Sequence, residues 1–165
     1  MALHDDLLDQ ADLLAHHDPV KPKQASLRRA TSAAYYALFH LLIDASTRFM
    51  VTSQREELRK QLTRSYDHGH MEKAARAFAA PAANNPWRAL LAQPPSAALV
   101  DVASTFIMLQ EQRHEADYDL SRPFTRSATK ASIARARTAF ASWNSIAGTE
   151  EGDIFVVALL IRART

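Results

Sequence analysis

The chain of 165 residues contains no cysteine and only three glycines, and its longest apolar run, Ile154 to Ile161, is eight residues. Without cysteine there is no disulfide framework, no thiolate metal site and no cysteine nucleophile. Three glycines cannot furnish the phosphate-cradling loops of dinucleotide-binding or P-loop proteins, and neither GxGxxG nor GxxxxGK[ST] occurs. They are also too few for the hairpin turns of a strand-rich fold. The apolar run falls far short of the roughly 20 residues of a membrane span. Residues 1–18 hold no Lys or Arg, only Asp5, Asp6, Asp9, Asp12 and Asp18, the reverse of the positive start of a secretory signal. These absences lead to the expectation of a soluble cytoplasmic protein with no membrane partner.

What is abundant is alanine, with 31 residues. Alanine is the best helix former, so the chain reads as mostly helix. The length suits one domain able to bury its own core. Net charge is +2, unevenly spread: residues 1–18 carry −5, residues 19–76 carry +6, and the remainder +1. The basic middle can meet an anion, and the acidic start can repel that anion or neutralise the middle; ordinary surface charge also accounts for the pattern.

Apolar spacing predicts helices over residues 3–17 and 23–50. The second carries a stripe of Leu27, Ala30, Ala34, Leu38, Leu41, Ala45 and Phe49. Ala30, Ala33, Ala34 and Ala37 are small enough to let a neighbouring helix approach closely. A second line, Arg29, Ala33, Tyr36 and His40, falls within about 40° of arc at 100° per residue, and a polar line beside a packed seam is where a helical bundle builds a site. A short helix over 54–64 places Leu58 and Leu62 inward. Gly69 then interrupts, and Met71, Ala74, Ala75 and Phe78 mark another helix. Residues 81–96 hold Pro81, Pro86, Pro94 and Pro95, a lid or linker with a helical turn near Trp87–Leu91. A helix over 96–119, capped by Ser96, aligns Leu99, Val102, Phe106, Leu109 and Arg113, and Pro123 stops it. A further helix over 125–147, with Ala128, Ile133, Ala136, Phe140 and Trp143 inward, ends at Gly148. Residues 154–162 read as a buried apolar helix.

Three groups of residues can carry chemistry. Arg113 and Asp117 are i,i+4 neighbours, with Tyr118 beside them; such an Arg can hold a phosphate or simply fix the helix end. Arg64 precedes His68-Gly69-His70, where a histidine can act as a base. A His-x-His pair alone falls short of a metal-ligand set, so no metal and no cofactor are expected. Tyr35, Tyr36, Phe39 and His40 stand on consecutive turns behind Arg28 and Arg29. No nucleophile elbow and no paired ExxH motifs appear.

The run Leu27-Arg28-Arg29-Ala30-Thr31-Ser32-Ala33-Ala34-Tyr35-Tyr36-Ala37-Leu38-Phe39-His40 resembles the first long helix of HEPN-domain proteins (higher eukaryotes and prokaryotes nucleotide-binding). Arg113-x-x-Ala116-Asp117-Tyr118 resembles an Arg-x-x-Ala-Asp-Tyr element of the small stand-alone bacterial HEPN proteins, and Tyr66-Asp67-His68 their intervening histidine-bearing turn. The resemblance covers about residues 5–145. It implies an all-α, up-and-down bundle of four to five helices over 1–147, with extra short helices. Residues 148–165 would be an apolar helical extension, packed on the bundle or on a dimer partner. It further implies a homodimer that binds RNA or a nucleotide, in some members beside a nucleotidyltransferase antitoxin.

Many family members are metal-independent ribonucleases with an Arg-x(4–6)-His motif, in which Arg stabilises phosphorane-like charge and His moves a proton. Here Tyr118 stands where that histidine would be, and Arg64-x5-His70 is the spacing that fits. The catalytic candidates are therefore Arg113, Tyr118, Arg64 and His70. The binding candidates are Arg29, Tyr36, His40, His68, Arg113 and Asp117. A degenerate site that binds without cutting is the leading expectation. A non-catalytic helical interaction protein and an active ribonuclease are the alternatives.

Overall fold

Helix formers at 3.6-residue spacing give the chain its architecture, and a computed structural model describes it for residues 2–51, 54–80 and 85–162. Among these residues there are seven α-helices, one short 3-10 turn at Arg88–Leu90, and no strand. The helices are α1 (Leu3–His16), α2 (Gln24–Met50), α3 (Glu56–Thr63), α4 (His68–Ala79), α5 (Ala97–Tyr118), α6 (Arg126–Ile146) and α7 (Glu150–Ala158). The expected all-α class is thus what folds. No helix among the described residues is long and apolar enough to cross a membrane.

The chain divides into two compact helical units: residues 1–40 with 105–140, and residues 41–104 with 141–165. In the first, Leu8 and Ala11 of α1, Leu27, Ala34, Tyr35 and Leu38 of α2, Phe106 and Leu109 of α5, and Ile133 and Ala136 of α6 are buried. Ala30, Ala33, Ala34 and Ala37 are buried as well, so the small-residue face of α2 is a packed seam. Tyr35 is fully buried, its ring 5.6 Å from Phe106, which makes it core rather than site.

In the second unit α4 packs on α7, with the Phe78 and Phe155 rings edge to face at 5.2 Å. The buried side chains include Leu42, Met71, Phe78, Leu99, Val102, Trp143, Phe155 and Leu159. Here Tyr66 donates to Ser46 Oγ at 2.5 Å, and Ser46 donates to the Val156 carbonyl at 2.7 Å. Burial pushes the Tyr66 phenol above its ordinary pKa, partly offset by the bond to Ser46.

Several expectations are corrected. Gly69 does not interrupt: Asp67 caps α4 by accepting from the His70 amide at 2.8 Å, and Gly69 lies inside the first turn. Leu58 and Phe49 are half exposed, and Ala128 is exposed, because each falls at the edge of an apolar stripe where no partner helix covers it. The last helix begins at Glu150 rather than 154, because Thr149 supplies its cap. Helix α5 stops at Tyr118, well before Pro123. Ser96 does cap α5, accepting from Leu99 N at 3.2 Å. Pro81 to Asn84 lie outside the described residues.

Candidate functional site

The register of α2 and α5 in the first unit brings Ser32 and Tyr36 to Arg113 and Asp117. Arg113 Nη2 donates to the Tyr36 hydroxyl at 2.8 Å. Its Nε lies 3.2 Å from Asp117 Oδ2, an ion pair by distance, although the Nε–H itself makes no hydrogen bond. Ser32 Oγ donates to the other Asp117 oxygen at 2.8 Å. The guanidinium also stands 5.7 Å from the Tyr35 ring centroid and 5.5 Å from that of Tyr36. Burial pulls the Arg113 pKa down, but the Tyr36 hydroxyl and the Asp117 charge outweigh it, so Arg113 is held above its ordinary value and stays charged.

Arg28, one turn earlier on α2, has a different occupation. Its Nη1 donates to the carbonyls of Ala116 and Asp119 at 2.9 Å each, and more loosely to Glu115 at 3.4 Å. Its Nη2 donates to Arg122 O at 2.7 Å, and the guanidinium sits 5.0 Å over the Phe124 ring. Glu115 O already accepts from the Asp119 amide, while the carbonyls of Ala116, Asp119 and Arg122 belong to the end of α5 and the loop after it, so Arg28 is the cap that stops α5. Gln24 secures the same loop, exchanging two 2.8 Å hydrogen bonds with the Phe124 backbone.

Between these groups opens a cleft of about 470 Å³, lined by Arg28, Arg29, Tyr36, Ala116, Asp117 and Tyr118 among others. Arg29 is exposed and makes no hydrogen bond or ion pair with any described residue. Tyr118 is exposed, its ring centroid 4.9 Å from that of His114 and tilted against it. Arg113 does not line the cleft; it braces Tyr36 and Asp117, which do. His40 is also outside the lining, one turn beyond Tyr36 and 6.4 Å from it ring to ring. Burial, and secondarily His4, holds His40 below its ordinary pKa, which leaves it neutral at neutral pH.

Comparison with known protein families, curated proteins and solved structures returns no match for this chain.

The remaining candidates, Arg64, His68 and His70, belong to the second unit. Arg64 is exposed at the end of α3, His68 is half-buried at the start of α4, and His70 donates from Nε2 to the Ala158 carbonyl at 3.1 Å. His70 thereby ties α4 to the end of α7. Among the described residues no group of three or more His, Asp or Glu side chains gathers as metal ligands would. The residues missed from the sequence are Arg28 as a cap and Ser32 as a support for Asp117. Their partners lie more than eighty positions away, and no local spacing announces them.

Proposed function

We propose that the first-unit cleft binds phosphate groups of RNA or of a nucleotide, the function that the resemblance to HEPN proteins implies. The observation that carries this reading is the division of labour between arginines. Arg29 stands exposed, with no partner among the described residues, at the rim of a cleft whose lining residues Tyr36 and Asp117 are held from behind by hydrogen bonds and an ion pair from Arg113 and Ser32. A rigid wall and a free cation are what a phosphate needs for binding without reorganisation. Tyr36 and Tyr118 offer rings or hydroxyls to a base or ribose. Arg113 is a positioning residue, because it acts through Tyr36 and Asp117.

The reading is binding rather than cleavage. On α5 the only histidine after Arg113 is the adjacent His114, which is exposed and lies tilted against the Tyr118 ring. Titration of a labelled single-stranded oligoribonucleotide and of adenosine nucleotides tests it. Arg29→Ala should lower affinity roughly threefold to tenfold and reduce the salt slope by about one, with helicity unchanged. Arg113→Ala should weaken binding through a displaced Tyr36, and Arg113→Lys should restore little, since a point charge cannot reproduce the fork. If wild-type protein binds neither ligand at low salt, the reading fails. RNA cut in the presence of EDTA, with the cut lost in Arg113→Ala, would put the ribonuclease alternative in its place.

A further inference from the structure

The second unit holds a separate cavity of about 550 Å³, within the size range of small-ligand sites. Its walls are the start of α4, the end of α7 and the turn that carries Trp87. Two lining cations, Lys73 and Arg162, are exposed and make no hydrogen bond or ion pair with any described residue. The one lining acid, Asp67, already caps α4. Two cations against that single carboxylate leave the lining net positive beside an aromatic wall.

That wall is fixed in place. The Trp87 amide donates to Asn85 Oδ1 at 2.8 Å. Arg88, the next residue, donates to the Ala77 carbonyl at 3.5 Å and to the Ala80 carbonyl, which pins the turn to the end of α4. His70 fastens the opposite wall through Ala158 O. A half-buried indole on a turn whose backbone is pinned is a stacking platform for which binding need not order the chain.

We propose that this cavity binds a small aromatic anion, its ring against Trp87 and its carboxylate or phosphate between Lys73 and Arg162. Neither cation has a partner among the described residues to abandon, so both are available to the ligand. Its lining belongs to the second unit and shares no residue with the cleft on α2 and α5.

The protein has two tryptophans, and Trp143 is buried, so a Trp143→Phe chain reports on Trp87 emission alone. Calorimetry on the wild type checks the same binding without that substitution. Titrating 2-naphthoate and adenosine monophosphate separates a carboxylate ligand from a phosphate one; 2-naphthalenemethanol and adenosine are their uncharged counterparts. Saturable binding is expected for at least one anion, with its neutral counterpart weaker by roughly tenfold. Lys73→Gln and Arg162→Gln should each weaken the anion by roughly threefold to fivefold, as exposed charges do, and Arg29→Ala should leave it unchanged. No saturable binding of either anion to the wild type overturns the proposal. So does equal binding of the neutral counterparts, or full affinity in the Lys73→Gln/Arg162→Gln double variant.

Discussion

Arg28 and Arg29 are adjacent, share a charge and lie on the same helix, yet their surroundings give them opposite work. Arg28 spends its guanidinium on the carbonyls of Glu115, Ala116, Asp119 and Arg122 and on the face of Phe124. Arg29 spends none of it on the described protein. Removing Arg28 strips the end of α5 of its donors, and hydrogen bonds from a charged group are each worth about 1.5–3 kcal/mol where they are well shielded. Discounted for partial exposure, Arg28→Ala should cost about 2 kcal/mol in urea unfolding. Arg28→Lys should recover less than half, because an ammonium cannot fork across several carbonyls. Arg29→Ala should fall within about 0.5 kcal/mol of wild type, as surface substitutions do. Equal losses for the two alanine variants would contradict the capping role. A sequence reader sees two consecutive arginines and no reason to separate them. The distinction is made by a loop some ninety residues further on.

At the scale of elements, the turn from α6 into α7 concentrates the chain's backbone constraints. Gly148 has φ +76°, the left-handed conformation that ends a helix and that residues with a Cβ resist. Thr149 follows, donating from Oγ1 to Ile146 O at 2.7 Å and accepting from Gly152 N at 3.3 Å, so one hydroxyl serves both helices. Gly152 is buried in the first turn of α7, where a Cβ would run into the Ile146 carbonyl. Thermal or urea unfolding should rank three variants accordingly. Gly152→Ala should lose about 2–3 kcal/mol through overpacking, and Thr149→Ala about 1 kcal/mol through the lost cap. Gly148→Ala should lose about 1 kcal/mol through backbone strain. A neutral Gly152→Ala would mean that α7 shifts freely against Ile146. The same turn shows what a sequence reveals. Gly148 reads as a helix stop because the signal is local. Gly152 reads as more loop, because the close approach that demands it depends on how α7 returns toward α6. Helix existence was legible nearly everywhere from period and capping chemistry. The exposure of Leu58 and Phe49 was not, since a stripe does not say whether a neighbour covers its edge.

Over the whole molecule, the charge asymmetry resolves into particular pairs. The acidic α1 does not simply neutralise the basic stretch at 19–76: Arg137 of α6 pairs with Asp12 and lies 3.7 Å from Asp9. Asp18 accepts from Ser26 Oγ and from the Lys23 amide, which together hold its carboxyl below the usual range. These exposed pairs contribute little each and weaken with salt. Near neutrality the group to follow is His40, half-buried beside Tyr36 and Phe39, whose pKa is lowered by burial and secondarily by His4. Its folded pKa lies below the roughly 6.5 of an unfolded histidine, so the unfolded chain takes up the proton first. Stability is therefore complete above about pH 7 and falls as the pH drops through about 6.5. The loss continues until the folded histidine also protonates. The Asp18 contribution has the same sign but lies lower, surviving until the pH falls through about 4. Urea midpoints should thus decline as the pH falls from about 7 through about 6.5. His40→Gln, which keeps a polar side chain but cannot titrate, should flatten that decline while leaving the acid limb below about pH 4 in place. A wild-type midpoint that stays level across the upper window would contradict the lowered pKa of His40, and a His40→Gln chain that still declines there would assign the effect to another of the seven histidines.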